Sequence, residues 1–277
     1  MTYRTESPRR LEVGRWTLNA VVAGSGRPVL FLHGLGMSLE WWRPAIAELS
    51  HENLVCAIDL PAVGDASTSI PAIRQACGEL VSGVIDRLDA GPALVVGHSL
   101  GGFVAANAAI LGAPGIGGMF LVAPGGFGQI KHPLLRLLSF PVAGELMIRT
   151  GNLGSRIFLR SVLYEPRTLP PEIWKLAEAP FSERLSFLRQ VRMGMRFGRT
   201  TAAYRVEAER PPAVPTGLVW GRHDPVHPPA DMERARTLLG ARDTTLFERS
   251  GHLPQLEEPR LFYSTLRAFA SKLWAPV

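Results

Sequence analysis

Between Ala93 and Ala109 the chain packs three signals into seventeen residues. A short apolar run, Ala93-Leu94-Val95-Val96, leads into a glycine-flanked serine, Gly97-His98-Ser99-Leu100-Gly101. A run of small residues, Gly102-Phe103-Val104-Ala105-Ala106-Asn107-Ala108-Ala109, follows at once. The first run reads as a buried strand and the last as a helix. Passing from one to the other within five residues forces a turn so tight that its flanks can carry almost no side chain, and Gly97 and Gly101 meet that demand. A serine on such a turn is lifted clear of the backbone.

The same alternation extends both ways. Leu11 to Ala23 reads as a hairpin around Gly14-Arg15, and Val29–Leu32 and Leu54–Ile58 as short strands joined by a helix from Trp42 to Leu49. Pro71 to Leu88 has Pro in its first turn and Ile73, Ala76, Cys77, Leu80, Val81, Val84 and Leu88 at helical spacing. Met119–Val122 is a further strand, and strand signals resume at Thr216. Strands alternating with helices predict a mostly parallel sheet with helices on both faces. The pattern breaks between Gln129 and Arg210, where no strand is evident. The leucines from Leu134 to Leu138, then Glu172–Ala177 and Arg184–Met195, read as helical, with Pro141 interrupting. The expected organisation is a core of residues 1–126 and 211–277 with a helical cap, 127–210, inserted between two sheet strands.

A serine hydroxyl is a poor nucleophile until a base takes its proton. Two later strand ends offer partners. Leu218-Val219-Trp220-Gly221 runs into Arg222-His223-Asp224-Pro225, and Leu246-Phe247 leads to Ser250-Gly251-His252-Leu253-Pro254. Active groups of open α/β sheets collect at that carboxyl edge. His252 is the candidate base, since a neutral imidazole accepts a proton near pH 7. Asp224 is the candidate acid that holds the ring in the right tautomer. Asp59 and Glu257 are rivals for that role, and His223 is a weaker rival as base. His98 reads as support for the turn. His51, His132 and His227 lack a strand-end setting and read as solvated or structural. An oxyanion needs preorganised N–H donors. Leu100, next after the serine, and Leu35, in the turn His33-Gly34-Leu35-Gly36 that ends an early strand, are the candidate backbone donors.

With these pieces in place the chain resembles the α/β-hydrolase family. The resemblance rests on His33-Gly34-Leu35-Gly36, Asp59-Leu60-Pro61, Gly97-His98-Ser99-Leu100-Gly101-Gly102, Gly221-Arg222-His223-Asp224-Pro225, and Gly251-His252 followed by Gln255 and Glu257-Glu258-Pro259. It runs from Leu11 to Trp274 apart from the middle stretch. It implies an eight-stranded, mostly parallel sheet with an inserted helical cap, and a catalytic triad of Ser99, Asp224 and His252. One departure stands out. Pro61-Ala62-Val63-Gly64-Asp65-Ala66-Ser67 has Ala62 where the family usually has glycine, which bears on substrate preference more than on the triad.

Composition narrows the rest. Apolar residues make up 46% and charged residues 19% of the 277, which argues for a globular chain with a large core. The net charge of +6 comes from scattered arginines with no aromatic-interleaved basic stripe, so nucleic acid is not an expected partner. Cys56 falls in a strand and Cys77 in a helix without metal-ligand spacing, and both read as buried free thiols. No apolar segment marks Met1 to Glu6 as a secretory signal, and no run is long enough to span a bilayer, so a cytoplasmic protein without membrane insertion is expected. No cofactor and no metal is expected. Oligomeric state stays open between monomer and homodimer.

The expected activity is hydrolysis of an ester-type bond, whether carboxylic ester, thioester or lactone, of a small to medium, partly apolar substrate through an acyl-enzyme. Gly34, Trp41, Met193, Phe197 and Leu253 are the candidate pocket residues. Carbon–carbon bond hydrolysis or acyl transfer on the same triad is the alternative. In the family the former activity typically goes with Trp directly after the histidine, whereas this chain has Leu253. A non-hydrolytic ligand-binding or natural-product tailoring protein of the same fold is the remaining alternative, because fold does not fix function.

Overall fold

The computed structural model describes residues 6–63, 69–138, 152–175 and 205–275. Eight strands form one sheet: β1 (Arg9–Val13), β2 (Trp16–Ala23), β3 (Arg27–Leu32), β4 (Asn53–Ile58), β5 (Ala93–His98), β6 (Ile116–Val122), β7 (Thr216–Gly221) and β8 (Asp243–Phe247). Their order across the sheet is β1-β2-β4-β3-β5-β6-β7-β8. β1 and β2 form the expected hairpin, with Val13 opposite Trp16 and Gly14 at a positive φ of 53° in the two-residue turn. β2 also runs antiparallel to β4, and every pairing from β4 to β8 is parallel.

Parallel strands covered on both faces should be apolar throughout. β5 and β7 fit that rule, since every residue in each is buried. On one face lie α2 (Ile70–Leu88), α3 (Leu100–Leu111) and α6 (Ala230–Leu239), whose inner residues share a core cluster with Leu30, Val95 and Leu121 of the sheet. On the other lie α1 (Arg43–Leu49) and α8 (Pro259–Leu273), packed on Phe31, Val96, Phe120 and Val219. Trp42 packs on Phe31 in this core, ring centroids 4.8 Å apart and planes tilted by 43°. Cys56 and Cys77 are free and buried, and burial pushes both thiols up to about 12. Among the described residues no helix is long and apolar enough to cross a membrane.

β6 begins at Ile116, three residues ahead of the run that the sequence marks. Gly117 and Gly118 weaken the strand signal, but Gly118 lies against Leu273, and a Cβ there would come within 2.7 Å of that side chain.

Between β6 and β7 the described chain holds α4 (Pro133–Leu138), α5 (Asn152–Val162) and a helical stretch over 171–175, with no strand. Leu159 and Val162 of α5, with Leu163, Leu169 and Ile173, form a third apolar cluster with Met37, Trp41, Val226, Leu253 and Leu256. That cluster lies over the loops leaving β3, β7 and β8, so α5 and the segment after it sit at the carboxyl edge of the sheet. The helical expectation over Arg184–Met195 falls outside the described residues.

Candidate active site

The turn after β5 is built by close packing. A Cβ on Gly97 would come within 2.5 Å of the Gly101 carbonyl oxygen, and one on Gly101 would collide with the backbone of Leu32. Neither position tolerates a side chain, so the start of α3 lies directly against β3 and β5. Ser99 between them has φ 50° and ψ −109°, a backbone that residues with a Cβ rarely adopt and that is held against a cost of roughly 1–3 kcal/mol. Its N–H donates to the Val122 carbonyl at 2.9 Å, and its own carbonyl accepts from Phe103 and Gly125. Those bonds hold the strained turn and present the Ser99 side chain at the sheet edge.

Ser99 and His252 line the same pocket. The Nδ1–H of His252 donates to Asp224 Oδ2 at 2.8 Å, with both side chains almost fully buried. The other oxygen, Asp224 Oδ1, accepts the backbone N–H groups of Val226 (2.8 Å) and His227 (3.0 Å). Asp224 thus has both oxygens committed, one to the ring and one to its own loop. Its bond at Nδ1 fixes the tautomer of His252 and leaves Nε2 with the lone pair that a base requires.

The rival acids do other work. Asp59 Oδ1 accepts the Leu39 N–H at 2.8 Å and Oδ2 the side-chain amide of Asn19 at 3.1 Å. His33 joins the same arrangement: its Nδ1–H donates to the Gly34 carbonyl at 2.7 Å, and its Nε2 accepts the Leu60 N–H at 2.9 Å. The His33-Gly34 and Asp59-Leu60 turns are therefore tied to each other. Glu257 accepts the N–H groups of Tyr164 (2.7 Å), Gly251 (2.8 Å) and Leu253 (3.3 Å), and burial pushes its carboxyl up. His223 is exposed and stacks on Tyr164, ring centroids 3.9 Å apart.

His252 sits between two further imidazoles, His98 at 4.8 Å and His227 at 5.4 Å between ring centroids. His98 supports the site through its Nε2–H, which donates to the His252 carbonyl at 2.9 Å. Burial holds His98 well below the ordinary histidine range, and burial with His252 nearby pushes His227 down to about 4. Both rings are neutral at neutral pH, so neither repels a proton arriving on His252.

Leu35 and Leu100 also line the pocket. Leu100 opens α3, where a backbone N–H has no acceptor within its own helix. Of the expected pocket residues, Trp41 and Leu253 are buried in the third cluster and are not among the described residues of the pocket wall. Gly34 lies against His98: a Cβ there would stand 2.7 Å from its Nδ1. Met193 and Phe197 fall outside the described residues. The described wall is mainly apolar, with Met37, Phe103, Ile130, Leu135, Phe158 and Val226 prominent. His227, read from the sequence as solvated or structural, is buried on the pocket wall, a place at the site that the sequence reasoning did not give it. The usable signal was its place three residues after an acid at a turn, where an Asp side chain bonds the N–H groups just downstream and draws that segment in beside itself. Among the described residues no group of three or more His, Cys, Asp or Glu is placed to hold a metal ion.

The chain belongs to the alpha/beta hydrolase family, which matches residues 29–265. It is 27% identical over 270 residues to an uncharacterized protein of Mycobacterium tuberculosis, covering 90% of this chain and 76% of that one. Among solved structures it is similar to a candidate aryl esterase of Burkholderia cenocepacia, with 26% identity, a TM-score of 0.74, and coverage of 96% of this chain and 99% of that one. It also shares its fold with the 2-hydroxy-6-oxo-6-phenylhexa-2,4-dienoate hydrolase of a Rhodococcus species, at a TM-score of 0.81 and 20% identity over 95% of this chain and 98% of that one.

Proposed function

We propose that the protein is a serine hydrolase that cleaves an ester-type bond of a small to medium, partly apolar substrate through an acyl-enzyme on Ser99. The observation that carries this reading is the 2.8 Å bond between His252 Nδ1 and Asp224 Oδ2 beside a pocket that Ser99 also lines. The family supports a hydrolase, and the likeness to a candidate aryl esterase supports an ester.

In this mechanism Ser99 Oγ attacks the scissile carbonyl carbon while its proton passes to His252 Nε2. The carbonyl π electrons move onto oxygen, and the N–H groups of Leu35 and Leu100 receive that oxyanion. Asp224 stabilises the imidazolium without itself taking the proton. Collapse of the tetrahedral intermediate re-forms the carbonyl and breaks the bond to the leaving oxygen, which takes the proton from Nε2. Water then repeats the sequence on the acyl-enzyme: His252 removes its proton, the acid product departs, and Ser99 Oγ regains a proton. The segment 127–210 serves as the cap: α4 and α5 roof the pocket and exclude bulk water during these steps.

The test is Ser99→Ala on a panel of p-nitrophenyl esters, a thioester and a lactone. Loss of at least about a thousandfold in kcat is expected on whichever class the wild type turns over. Wild-type rates in Ser99→Ala, or no labelling of Ser99 by a fluorophosphonate in the folded protein, would overturn the reading.

A further inference from the structure

His227 is held on the pocket wall by its backbone alone. Its N–H donates to Asp224 Oδ1, and its carbonyl accepts from Trp220 Nε1 at 2.8 Å. The loop is thus fixed at both sides of the residue, and His227 as a whole is 4% exposed. The ring itself has no such anchor. Nδ1 is buried and has no hydrogen-bond partner. Besides Ser99 and His252, it is the one polar side chain among the described residues of the pocket wall.

The position of the ring relative to the serine is also defined. A Cβ on Gly125 would lie 3.7 Å from His227 Nε2 and 3.5 Å from the Ser99 carbonyl oxygen. The imidazole edge and the serine turn therefore border the same space across Gly125. Stranding an N–H in the interior costs more than leaving a lone pair there, and orphaned buried N–H groups are the rarer case. The unpartnered Nδ1 therefore carries the lone pair, and the proton sits on Nε2, the nitrogen next to Gly125. That N–H can donate to a ligand oxygen, and a wall that is otherwise apolar, with no Lys or Arg among its described residues, favours an uncharged oxygen over a carboxylate whose desolvation it would not offset.

Resting on the acyl-enzyme reading above, we propose that His227 is a specificity-determining residue. Its Nε2–H donates a hydrogen bond to a neutral ether, ketone or hydroxyl oxygen in the acyl group bound along Gly125. The pocket accordingly takes oxygen-bearing acyl groups in preference to plain alkyl chains of the same size. A site built around a buried donor discriminates strongly against a ligand that leaves the donor unpaired.

Matched p-nitrophenyl esters test this. Methoxyacetate and butyrate differ by an oxygen in place of a methylene, and levulinate and isocaproate by a ketone oxygen in place of a methyl. The readout is the ratio of kcat/KM within each pair, compared between wild type, His227→Leu and His227→Gln. Intrinsic ester reactivity cancels in that comparison. At least one pair should lose about tenfold in its ratio in His227→Leu, with most of the loss restored in His227→Gln, whose amide still donates. Fluorophosphonate labelling of Ser99 in each enzyme shows that the fold and nucleophile persist, and His227→Met stands in if His227→Leu does not label. Ratios equal within about twofold in a labelled variant without a donor overturn the proposal while leaving the serine hydrolase reading intact. Failure of the wild type to hydrolyse any of these esters overturns the proposal, and failure of the wild type to label at Ser99 overturns both.

Discussion

The backbone N–H of His252 donates to the carbonyl oxygen of Val162 at 2.8 Å, which bonds the last residue of α5 to the loop that carries the proposed base. The link does not stand alone. Glu257, in the short helix α7 (Pro254–Glu257), accepts N–H groups from Tyr164 on one side and from Gly251 and Leu253 on the other. Glu258 accepts the Arg249 N–H and the Ser250 hydroxyl. The end of α5 and the residues just after it are therefore one hydrogen-bonded unit with the His252 loop, and the position of the imidazole depends on both.

Glu257→Ala should show that dependence. It strands the part-buried N–H groups of Gly251 and Leu253 and frees the exposed one of Tyr164, which should cost about 2 kcal/mol in denaturant unfolding. With His252 less well held, kcat on a p-nitrophenyl ester should fall about tenfold while KM changes little. Arg249→Ala is the control. It removes only the exposed ion pair to Glu165 at 3.0 Å, and its effect on stability should stay below about 1 kcal/mol.

Asp224→Asn separates holding the ring from charging it. The amide oxygen can still accept the Val226 and His227 N–H groups, so the loop should keep its shape. The amide nitrogen then faces His252 Nδ1 as a donor, which puts the ring proton on Nε2 and removes the lone pair needed there. A loss of about a thousandfold or more in kcat is expected, with stability changed by less than about 2 kcal/mol. Equal loss of both would mean that Asp224 acts mainly as a loop anchor.

Most of the frame was readable from residue order. The strands that lead into the Ser99, Asp224 and His252 turns do end at one edge of the sheet, because β5, β6, β7 and β8 lie side by side in that order and run parallel. Asp224 is preferred to Asp59 and Glu257 already from its place at a strand end after Ser99, and the structure adds what each carboxylate bonds: Asp224 the His252 ring, Asp59 Leu39 and Asn19, Glu257 three backbone N–H groups. Pocket and core were not distinguishable by pattern. Trp41 and Leu253 are apolar residues beside motif residues, and only three-dimensional packing leaves them off the wall that Phe103 and Val226 line. His227 is not assigned to the site by pattern because a histidine in a proline-rich loop shows no strand-end setting, and it is the Asp224 turn that folds it inward.

The buried histidines make stability fall in acid. His227 titrates at about 4 in the folded chain, against the ordinary 6.5 once unfolded. Between those values the unfolded state binds the extra proton, so the contribution is present above pH 6.5 and is lost as pH falls toward 4, at about 1.4 kcal/mol per pH unit. His227→Gln removes this share. From pH 7 to pH 5 its unfolding free energy should drop by about 2 kcal/mol less than that of the wild type, the remaining slope coming in part from His98 and His33, which burial also holds low. Urea midpoints at the two pH values measure it, and parallel curves would place the His227 ring in solvent.

Ser99→Gly tests whether the turn stores strain for the sake of the hydroxyl. With φ 50° and ψ −109°, Ser99 occupies a backbone that glycine reaches at little cost. Its N–H and C=O bonds to Val122, Phe103 and Gly125 are backbone bonds that the substitution leaves in place. Relief of strain should outweigh the lost side-chain contacts and the greater freedom of glycine in the unfolded chain, giving a gain of about 1 kcal/mol in unfolding free energy. Hydrolysis should disappear in the same variant. A residue whose removal stabilises the fold and abolishes turnover is held there by function, whereas a loss of stability together with retained turnover would make Ser99 an ordinary part of the α3 start.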